Sequence, residues 1–572
     1  MQENLARLLE VAKRPRTFMS VVRLEEHLKR LSAGDRFIAV LLGAFLIVSA
    51  LSGLYALERS LLVEVPAQGG TLQEGVVGSP RFVSPLLALS DADRDLVALT
   101  YSGLMGIGMD GTLTPVLAER YEIAEDGKTY TFVLRENLTF SDGTPLSAED
   151  VVFTVEKAQD PALKSPERAN WDGIGVEALD PRTVRFTLSK SYAPFLENTT
   201  LGILPARLWR NVSAEEFPFS TLQTEPVGAG PFTVSYVSRN TSGIIEEYVL
   251  SAFDSYALGR PYLDEMRFRF FSQESDLAKA LGTGAVESAY GIPDARALSA
   301  PYSRVFGVFW NSDENPVFAR PEVRKALSVA IDRNGIVRDV LGGFATAIKG
   351  PMPPRGHTAL ESETAEERIR SAKETLEKGG WTYDTETRAW KQSKDKLVLS
   401  ITLKTSNVPE LKAVATKIRD DWQLLGVPVS IELYEPGDLN QNVIRPRAYS
   451  ALLFGMVVGR DRDLFAFWHS SQRNDPGLNI ALYANRSVDT LIEQARGEND
   501  AVARERSLVK IDEAIAADYP AAFTHSPDFL YTMPEDVRGV SLPQITAPSD
   551  RFASVASWYR RTEPVWPFFV KD

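Results

Sequence analysis

The chain of 572 residues contains no cysteine. A disulfide, a thiolate nucleophile and a cysteine-ligated metal are therefore excluded. Attachment to a membrane through a lipidated cysteine is excluded as well, so any tether has to be a stretch of the polypeptide itself. Histidine is scarce, with four residues in the chain. His357, His469 and His525 are widely scattered, so the chain offers few side chains that could bind a metal directly.

Sequence motifs that would support catalysis are also missing. The chain has no G-x-S-x-G nucleophile elbow, no H-E-x-x-H zinc helix and no G-x-x-x-x-G-K-[ST] phosphate loop. Gly103, Gly106 and Gly108 imitate part of a dinucleotide-binding loop, but Met109-Asp110-Gly111 predicts a turn where a helix would have to begin. The sequence therefore predicts no catalytic residue, no cofactor and no metal site, and a hydrolase is the disfavoured alternative.

Positive charge is in short supply over most of the chain. Lys and Arg number 63 against 76 Asp and Glu, which gives a net charge of -13. No basic block of the kind that a phosphate backbone needs follows residue 40, so the sequence predicts no nucleic-acid partner. A hydrophobic share of 44% with 24% charged residues is typical of a folded globular protein. The length predicts roughly three or four structural units.

One long apolar run stands near the N-terminus. Residues 37–57, FIAVLLGAFLIVSALSGLYAL, are 21 residues without a charge. At about 1.5 Å per residue they reach roughly 30 Å, the thickness of a bilayer core. Eight Lys and Arg residues precede the run and few follow it immediately. The positive-inside rule therefore predicts a basic cytoplasmic leader at 1–36, a retained transmembrane anchor at 37–57, and an extracytoplasmic remainder, either periplasmic or at the cell surface.

Two features of this N-terminal region stay open. A cleaved signal peptide, cut near Ala50 or Ala56, is the alternative to an anchor, although the leader and the apolar core both exceed the usual signal-peptide dimensions. In the leader, apolar positions predict a basic amphipathic helix on the inner membrane surface, and a solvated helix without a partner is the alternative. These positions are Leu5, Leu8, Leu9, Leu24, Leu28 and Leu31.

Beyond a predicted linker at 58–70, strand-like and helix-like runs alternate, which predicts mixed α/β domains. The strand-like runs are Val184–Leu188, Phe232–Val237, Met266–Phe271, Leu397–Leu403, Val427–Leu433 and Ala451–Phe454. The helix-like runs are 321–340, 365–378, 408–425 and 487–517. No internal repeat or low-complexity tract interrupts them.

Residues 115–160 are the most informative segment. Two short β-prone runs, 120–124 and 129–134, are joined by Asp126-Gly127, which is a strong hairpin signal. A second turn is predicted at 141–145. Ser147 stands three residues before Asp150, a spacing that predicts a capped helix start.

The wording of this segment resembles the signature of the extracytoplasmic solute-binding proteins that serve oligopeptide, dipeptide and nickel ABC importers. Their pattern LA-x-x-W-x-x-x-x-DG-x-x-Y-x-F-x-LR, followed by F-x-DG-x-P-x-x-A-x-D-V-x-F, is matched except that Tyr121 replaces the Trp and Ser141 a His. The resemblance continues in the same order to the C-terminal part of the chain. Its further blocks are 180–186, 226–232, 311–333, 525–526, 548–552 and 558–559.

The resemblance implies an α/β, two-lobed periplasmic-binding-protein fold, type II with an extra domain, preceded by one transmembrane helix. Two lobes joined by a hinge would close around a solute. The implied division is lobe I at 71–103, an inserted extra domain at 104–190, lobe I again at 191–305, lobe II at 306–525 and a lobe I return segment at 526–572. Residues 115–160 are then expected to be scaffold, away from the ligand.

Matching the lobes also implies where a ligand would be held. In peptide-binding members, an aspartate after a strand with a Gly-Trp pair takes the peptide amino group; here Met456 stands in the place of the Trp and Val458 near that of the aspartate. The implied ligand-binding residues are Ser90, Tyr290, Gly291, Phe454, Gly455, Met456, Asp461, Asp463 and Trp468, with Asn479 and Tyr483 in the same region. The alternative for Asp461 and Asp463 is that they are solvated carboxylates of a loop. The alternative for the aromatic residues is that they belong to the core.

The function implied by the resemblance is capture of a solute, short peptides in the first place, and delivery to an ABC-type import permease. One alternative is a non-peptide solute such as a metal chelate or a sugar. Another is an envelope receptor that kept the fold without transport. The implied partners are a small solute, a membrane permease and the lipid bilayer, with no nucleic acid.

Overall fold

The computed structural model describes residues 32–354, 356, 360–361 and 363–569. The predicted leader helix with its leucines, and His357, lie outside these residues. The chain divides into two compact units: a smaller one up to Ala67 and from Thr562 onward, and a larger one spanning Gln68–Arg561.

The smaller unit contains the long apolar helix. It runs over Ala33–Leu61 and begins at Ser32, whose hydroxyl accepts the N–H of Asp35. Within the described part of the chain, Ala33–Tyr55 is the one stretch long and apolar enough to cross a membrane, and its large apolar side chains are exposed. An exposed apolar helix of this length fits a bilayer better than water.

The structure differs from the linker predicted at 58–70. The helix continues to Leu61, and Val63–Ala67 forms a strand that pairs with Arg561–Val565. The predicted return segment 526–572 therefore ends in the smaller unit, beyond Arg561. Local sequence could not show this pairing, because the two strands come from opposite ends of the chain.

A long mixed sheet forms the centre of the larger unit. Its strands, in spatial order, are Val429–Tyr434, Ile401–Ser406, Ala451–Val457, Arg304–Trp310, Ala521–Thr532, Ser288–Tyr290, Thr71–Val77, Glu265–Phe271, Ile245–Ala252 and Phe232–Arg239, with Ala297–Pro301 and Ala345–Ala347 also paired to Ala521–Thr532. Ala521–Thr532 pairs with Arg304–Trp310 through its first residues and with Ser288–Tyr290 through its last. It thus joins a C-terminal half of the sheet, from Val429–Tyr434 to Arg304–Trp310, to an N-terminal half, from Ser288–Tyr290 to Phe232–Arg239.

The chain passes between these halves at two neighbouring places, near residue 302 and near residue 526. Ser526 Oγ donates to the carbonyl of Tyr302 at 3.2 Å, and Tyr302 N–H donates to the carbonyl of Pro527 at 3.2 Å. Two adjacent crossings between two bodies are the usual arrangement of a hinge.

A separate sheet carries the signature segment. Its strands are Ala118–Ile123, Thr129–Leu134, Thr183–Thr187 and Gly175–Asp180. The predicted hairpin is confirmed: the first two strands pair antiparallel, and Gly127 has φ 65°. The helix Ala148–Gln159 also begins where predicted, since Asp150 accepts both the N–H and the hydroxyl of Ser147, at 2.9 and 3.2 Å.

The longer helices of the larger unit are Asp91–Thr100, Ala148–Gln159, Glu274–Gly282, Pro321–Ala330, Ala365–Lys378, Pro409–Leu424, Arg486–Gly497 and Ala501–Asp518. Small sheets are formed by Met105–Ile107 with Leu113–Pro115, and by Thr382–Asp384, Ala389–Gln392 and Leu397–Val398. The helix at 365–378 is confirmed. The helix predicted at 321–340 ends at Ala330, and the one at 487–517 is two helices, because Asp500 caps a new start by accepting the N–H of Ala503 at 2.7 Å.

The aromatic residues of the signature segment form a core. Phe132 is fully buried and meets Phe186 edge to face, with ring centroids 5.7 Å apart. Tyr130 packs on Phe195 at 4.7 Å. The segment thus holds its own sheet together and supports the short helix Phe195–Asn198.

We expect Phe132→Ala to lower the free energy of unfolding by about 3–5 kcal/mol, because it leaves a cavity in this aromatic cluster. Denaturant titration measures the loss. Tyr236→Ala, at an exposed strand position, is the matched control and should cost far less. A variant that kept its stability but lost solute affinity would contradict a scaffold role for Phe132.

Candidate functional site

A cavity of about 790 Å³ lies beside the loop that follows the strand Ala451–Val457, where this loop meets segments of the N-terminal half. Gly459–Asp461, which follow the strand Ala451–Val457, line it from the C-terminal half. The facing wall comes from residues within 85–116, 167–202 and 546–557. Small-molecule sites have volumes of roughly 300–1,000 Å³ and prefer such boundaries between bodies.

Arg460 bridges the cavity from one side to the other. Its guanidinium donates to Asp550 Oδ2 at 2.8 Å and to the carbonyl of Gln544 at 3.1 Å. Its Nε lies 4.0 Å from Glu197 Oε2. The charge of Arg460 is therefore largely engaged by Asp550, and the bridge holds the two walls together.

Acidic residues outnumber basic ones around the cavity. The charged lining residues are the acids Glu167, Glu197, Asp461 and Asp550 and the bases Arg94 and Arg460. Burial raises the pKa of Glu197 to about 7, against the opposing effect of Arg460. Burial also raises the pKa of Asp461 to about 6. Two carboxylates held in this way favour a positively charged group on a ligand.

The position of the Asp461 carboxylate depends on its neighbours in the loop. Asp461 Oδ1 accepts the N–H of Asp463 at 3.2 Å. A Cβ atom at residue 459 would lie 2.6 Å from the same oxygen, so Gly459 leaves the room that this carboxylate needs. Among the described residues, the neighbouring arginines Arg462 and Arg496 pair with Glu505 and Asp463, and neither forms an ion pair with Asp461.

Two hydroxyl groups of the lining are buried without a hydrogen-bond partner among the described residues, namely Tyr101 Oη and Thr546 Oγ1. A buried polar group left unpaired costs about 1–3 kcal/mol. Tyr101 is brought here by close backbone packing, since a Cβ at Gly228 would lie 2.0 Å from the carbonyl of Thr100.

Of the residues predicted from the sequence, Asp461 lines this cavity. Asp463 supports the loop instead. Its Oδ1 accepts the N–H of Phe465 at 3.0 Å, and its Oδ2 pairs with Arg496 Nε at 3.0 Å. The lining of the cavity does not include Asp463 or the other residues predicted in the sequence.

The residues predicted from the N-terminal half lie beside one another in a different place. Tyr290 Oη donates to Asp91 Oδ2 at 2.9 Å, and its ring stacks on Phe529. Ser90 caps the helix Asp91–Thr100. Gly291 has φ 77°, which its glycine identity allows without strain.

The remaining predicted residues belong mainly to the core of the C-terminal half. Met456, Trp468, Asn479 and Tyr483 are buried there, whereas Phe454 and Gly455 are partly buried. Gly455 allows the ring of Phe306 to cross the strand, because a Cβ would lie 2.6 Å from it. Val458, near the aspartate position of peptide-binding members, is fully buried.

No local sequence pattern indicated Tyr101, Glu197 or Thr546 as lining residues. Each stands in a different segment, so no local spacing connects them. Arg460 lies next to the predicted Asp461, but its bridge to Asp550 depends on the folded chain. The available signal was the position of this loop directly after the strand Ala451–Val457.

Comparisons with known proteins agree with the architecture. Residues 112–476 match the family model described as "Bacterial extracellular solute-binding proteins, family 5 Middle". The oligopeptide-binding protein AppA of Bacillus subtilis is 27% identical over 538 residues, covering 90% of this chain and 96% of AppA.

Two solved structures share the fold. One is the ABC transporter substrate binding protein CtaP from Listeria monocytogenes, with TM-score 0.72 and 26% identity, covering 86% of this chain and 99% of CtaP. The other is AppA from Bacillus subtilis in complex with a nonapeptide, with TM-score 0.65 and 24% identity, covering 86% of this chain and 99% of that one. The α/β two-lobed binding-protein fold implied by the sequence is confirmed, and the chain belongs to the bacterial extracellular solute-binding proteins of family 5.

Proposed function

We propose that this protein captures short peptides in the cavity beside Arg460 and delivers them to an ABC-type import permease. The observation that carries the proposal is the pair Glu197 and Asp461, two partly buried carboxylates that line one cavity in which the guanidinium of Arg460 is already engaged by Asp550. A peptide brings a protonated amino group for the carboxylates. Its backbone brings hydrogen-bond donors and acceptors to the polar lining of the cavity. Relatives named for oligopeptide binding support the same choice.

In peptide-binding members an aspartate, at a position near that of Val458 in this chain, holds the peptide amino group. Asp461 and Glu197 are proposed to hold it here. Val458 is buried and apolar, so it cannot hold an amino group. Asp461 stands three residues later in the same loop. The remaining predicted residues, Ser90, Tyr290 and Phe454 among them, belong in this proposal to the support of the cleft.

The extracellular binding unit is proposed to be tethered by its own N-terminus. The helix Ala33–Leu61 supplies an exposed apolar span, and the basic residues before it favour a cytoplasmic N-terminus. The protein is then a single-pass membrane protein with the binding unit outside. Its two lobes are proposed to divide near residues 305 and 525, with an inserted domain at about 104–190. The protein is proposed to carry out no catalysis.

The experiment that tests peptide capture compares two forms of one peptide. Isothermal titration calorimetry of the full chain in detergent measures a tripeptide with a free amino group and the same tripeptide with that group acetylated. We expect the acetylated form to bind roughly 10- to 100-fold more weakly, because a charge-assisted hydrogen bond contributes about 1.5–3 kcal/mol. Equal affinity for the two forms would contradict recognition of the amino group.

Peptide affinity is expected to fall as the pH falls from 7 to 5, a range in which a peptide α-amino group with a pKa of about 8 stays protonated. In the free protein the pKa of Glu197 is raised to about 7 and that of Asp461 to about 6. Both carboxylates are charged above this window and become neutral below it, whereas the peptide amino group stays protonated. Calorimetric titration at stepped pH values checks the result. An affinity that rises toward low pH would exclude these carboxylates as the cation site.

A further inference from the structure

The chain ends in an aromatic tail that the proposed binding function does not use. The tail, Trp566–Phe569, directly follows the strand Arg561–Val565 and reads WPFF. The rings of Trp566 and Phe568 stack with centroids 6.1 Å apart. Phe568 is 74% exposed and lies beside the ring of Trp566.

The direction of the last strand brings this tail back toward the apolar helix. A Cβ at Gly69 would lie 2.7 Å from Arg561 Cδ, and Thr562 Oγ1 donates to Glu64 Oε2 at 3.0 Å. Residue numbers rise along one strand while they fall along the other, so the pairing is antiparallel. The return strand therefore runs toward Leu61, the last residue of the helix.

The Glu64–Thr562 hydrogen bond is equally far along the chain from the end of the helix and from the end of the return strand. Three residues lead from Glu64 back to Leu61, and three lead from Thr562 forward to Val565. Each of these stretches spans roughly 10 Å at about 3.3 Å per extended residue, so the tail begins near the end of the helix. Residues from Thr562 onward also form one compact unit with the helix and its strand.

The end of a transmembrane helix is the level at which tryptophan and tyrosine are enriched in membrane proteins, because their amphipathic rings suit the headgroup region. The helix here ends with the exposed apolar residues Leu57 and Leu61. The tail supplies an indole at that level from the opposite end of the chain. The polar side chains of Glu64 and Thr562 are hydrogen-bonded to each other. The aromatic side chains of the tail are the ones suited to contact lipid.

We propose that the side chains of Trp566 and Phe568 insert into the outer interface of the lipid bilayer beside the membrane helix, as a second membrane contact of the chain. This inference rests on the proposed retention of the helix as an anchor. The occupant of the exposed aromatic surface is the bilayer itself.

Tryptophan fluorescence can isolate this contact. The chain has nine tryptophans, and every one except Trp566 is buried with at most 2% of its surface exposed. The full chain is reconstituted in vesicles of a phosphatidylcholine brominated close to the glycerol. The difference between the unmodified chain and Trp566→Phe gives the emission of Trp566 alone. We expect bromine to quench roughly half of that emission, because the indole lies in the interface.

Controls separate the tail from the anchor. Phe568→Ser should weaken the quenching of Trp566, whereas Phe219→Ser, at an exposed phenylalanine of the larger unit, should leave it unchanged. Vesicle flotation reports the anchor independently. Flotation without quenching, with Trp566 accessible to aqueous iodide, would overturn the tail contact alone. Loss of flotation with a mass that shows cleavage would overturn the anchor and, with it, this inference.

Discussion

The double variant Asp461→Asn with Glu197→Gln is expected to bind a tripeptide roughly 100-fold more weakly than the unmodified chain, since it removes both partners of a charged group. The two carboxylates reach the cavity from different segments, so each single variant should give part of the loss. Their effects should not add independently, because neighbouring groups on one ligand are coupled. Calorimetry of all four chains measures the coupling.

The same variants test whether the effect is on binding or on the fold. Burial raises the pKa of both acids, so neutral amides in their places should leave the unliganded chain equally or more stable at neutral pH. Glu513→Gln, on an exposed helix position, is the control for the change of charge. A double variant that kept full peptide affinity would remove Glu197 and Asp461 from the site.

Arg551→Met is expected to cost about 3–5 kcal/mol in the free energy of unfolding. Arg551 is fully buried, and its guanidinium lies 2.9 Å from Glu74 Oε1 and 2.6 Å from Asp95 Oδ2. Those acids belong to the strand Thr71–Val77 and the helix Asp91–Thr100. Removing the cation leaves two buried carboxylates uncompensated.

This ion network joins three segments that are far apart in the sequence. Glu74 Oε2 also accepts the hydroxyl of Tyr531 at 2.9 Å, and burial raises the pKa of Asp95 to about 6 despite Arg551. Denaturant unfolding of Arg551→Met should be compared with Arg538→Met, at an exposed position, which should change stability by no more than about 0.5 kcal/mol. Equal stabilities of the two variants would show that the network contributes little.

Local sequence signals predicted the elements whose ends are set by nearby residues. The helix at 365–378 has a reciprocal cap, in which Thr364 and Glu367 bond to each other, and Gly379 at its end. The hairpin around Gly127 likewise needs no distant partner. The strand Val63–Ala67 was missed because its partner is at the other end of the chain.

The residues of the candidate site also separate into those that local sequence could indicate and those that it could not. Asp461 could be found because it lies in a loop that the family resemblance places by the cleft. Glu197 and Tyr101 could not, since they reach the cavity through packing of segments that share no motif. Trp468 is the opposite case. It was predicted as a ligand-binding residue, but it is fully buried against Phe523 and other core side chains.

Mass spectrometry of whatever co-purifies with the full chain in detergent tests peptide capture most directly. Ligand released by denaturation is compared between the unmodified chain and the Asp461→Asn, Glu197→Gln double variant. A mixture of short peptides with free amino termini, depleted in the variant, is the predicted result. A single metal chelate or sugar that both chains retain would contradict peptide capture at this cavity.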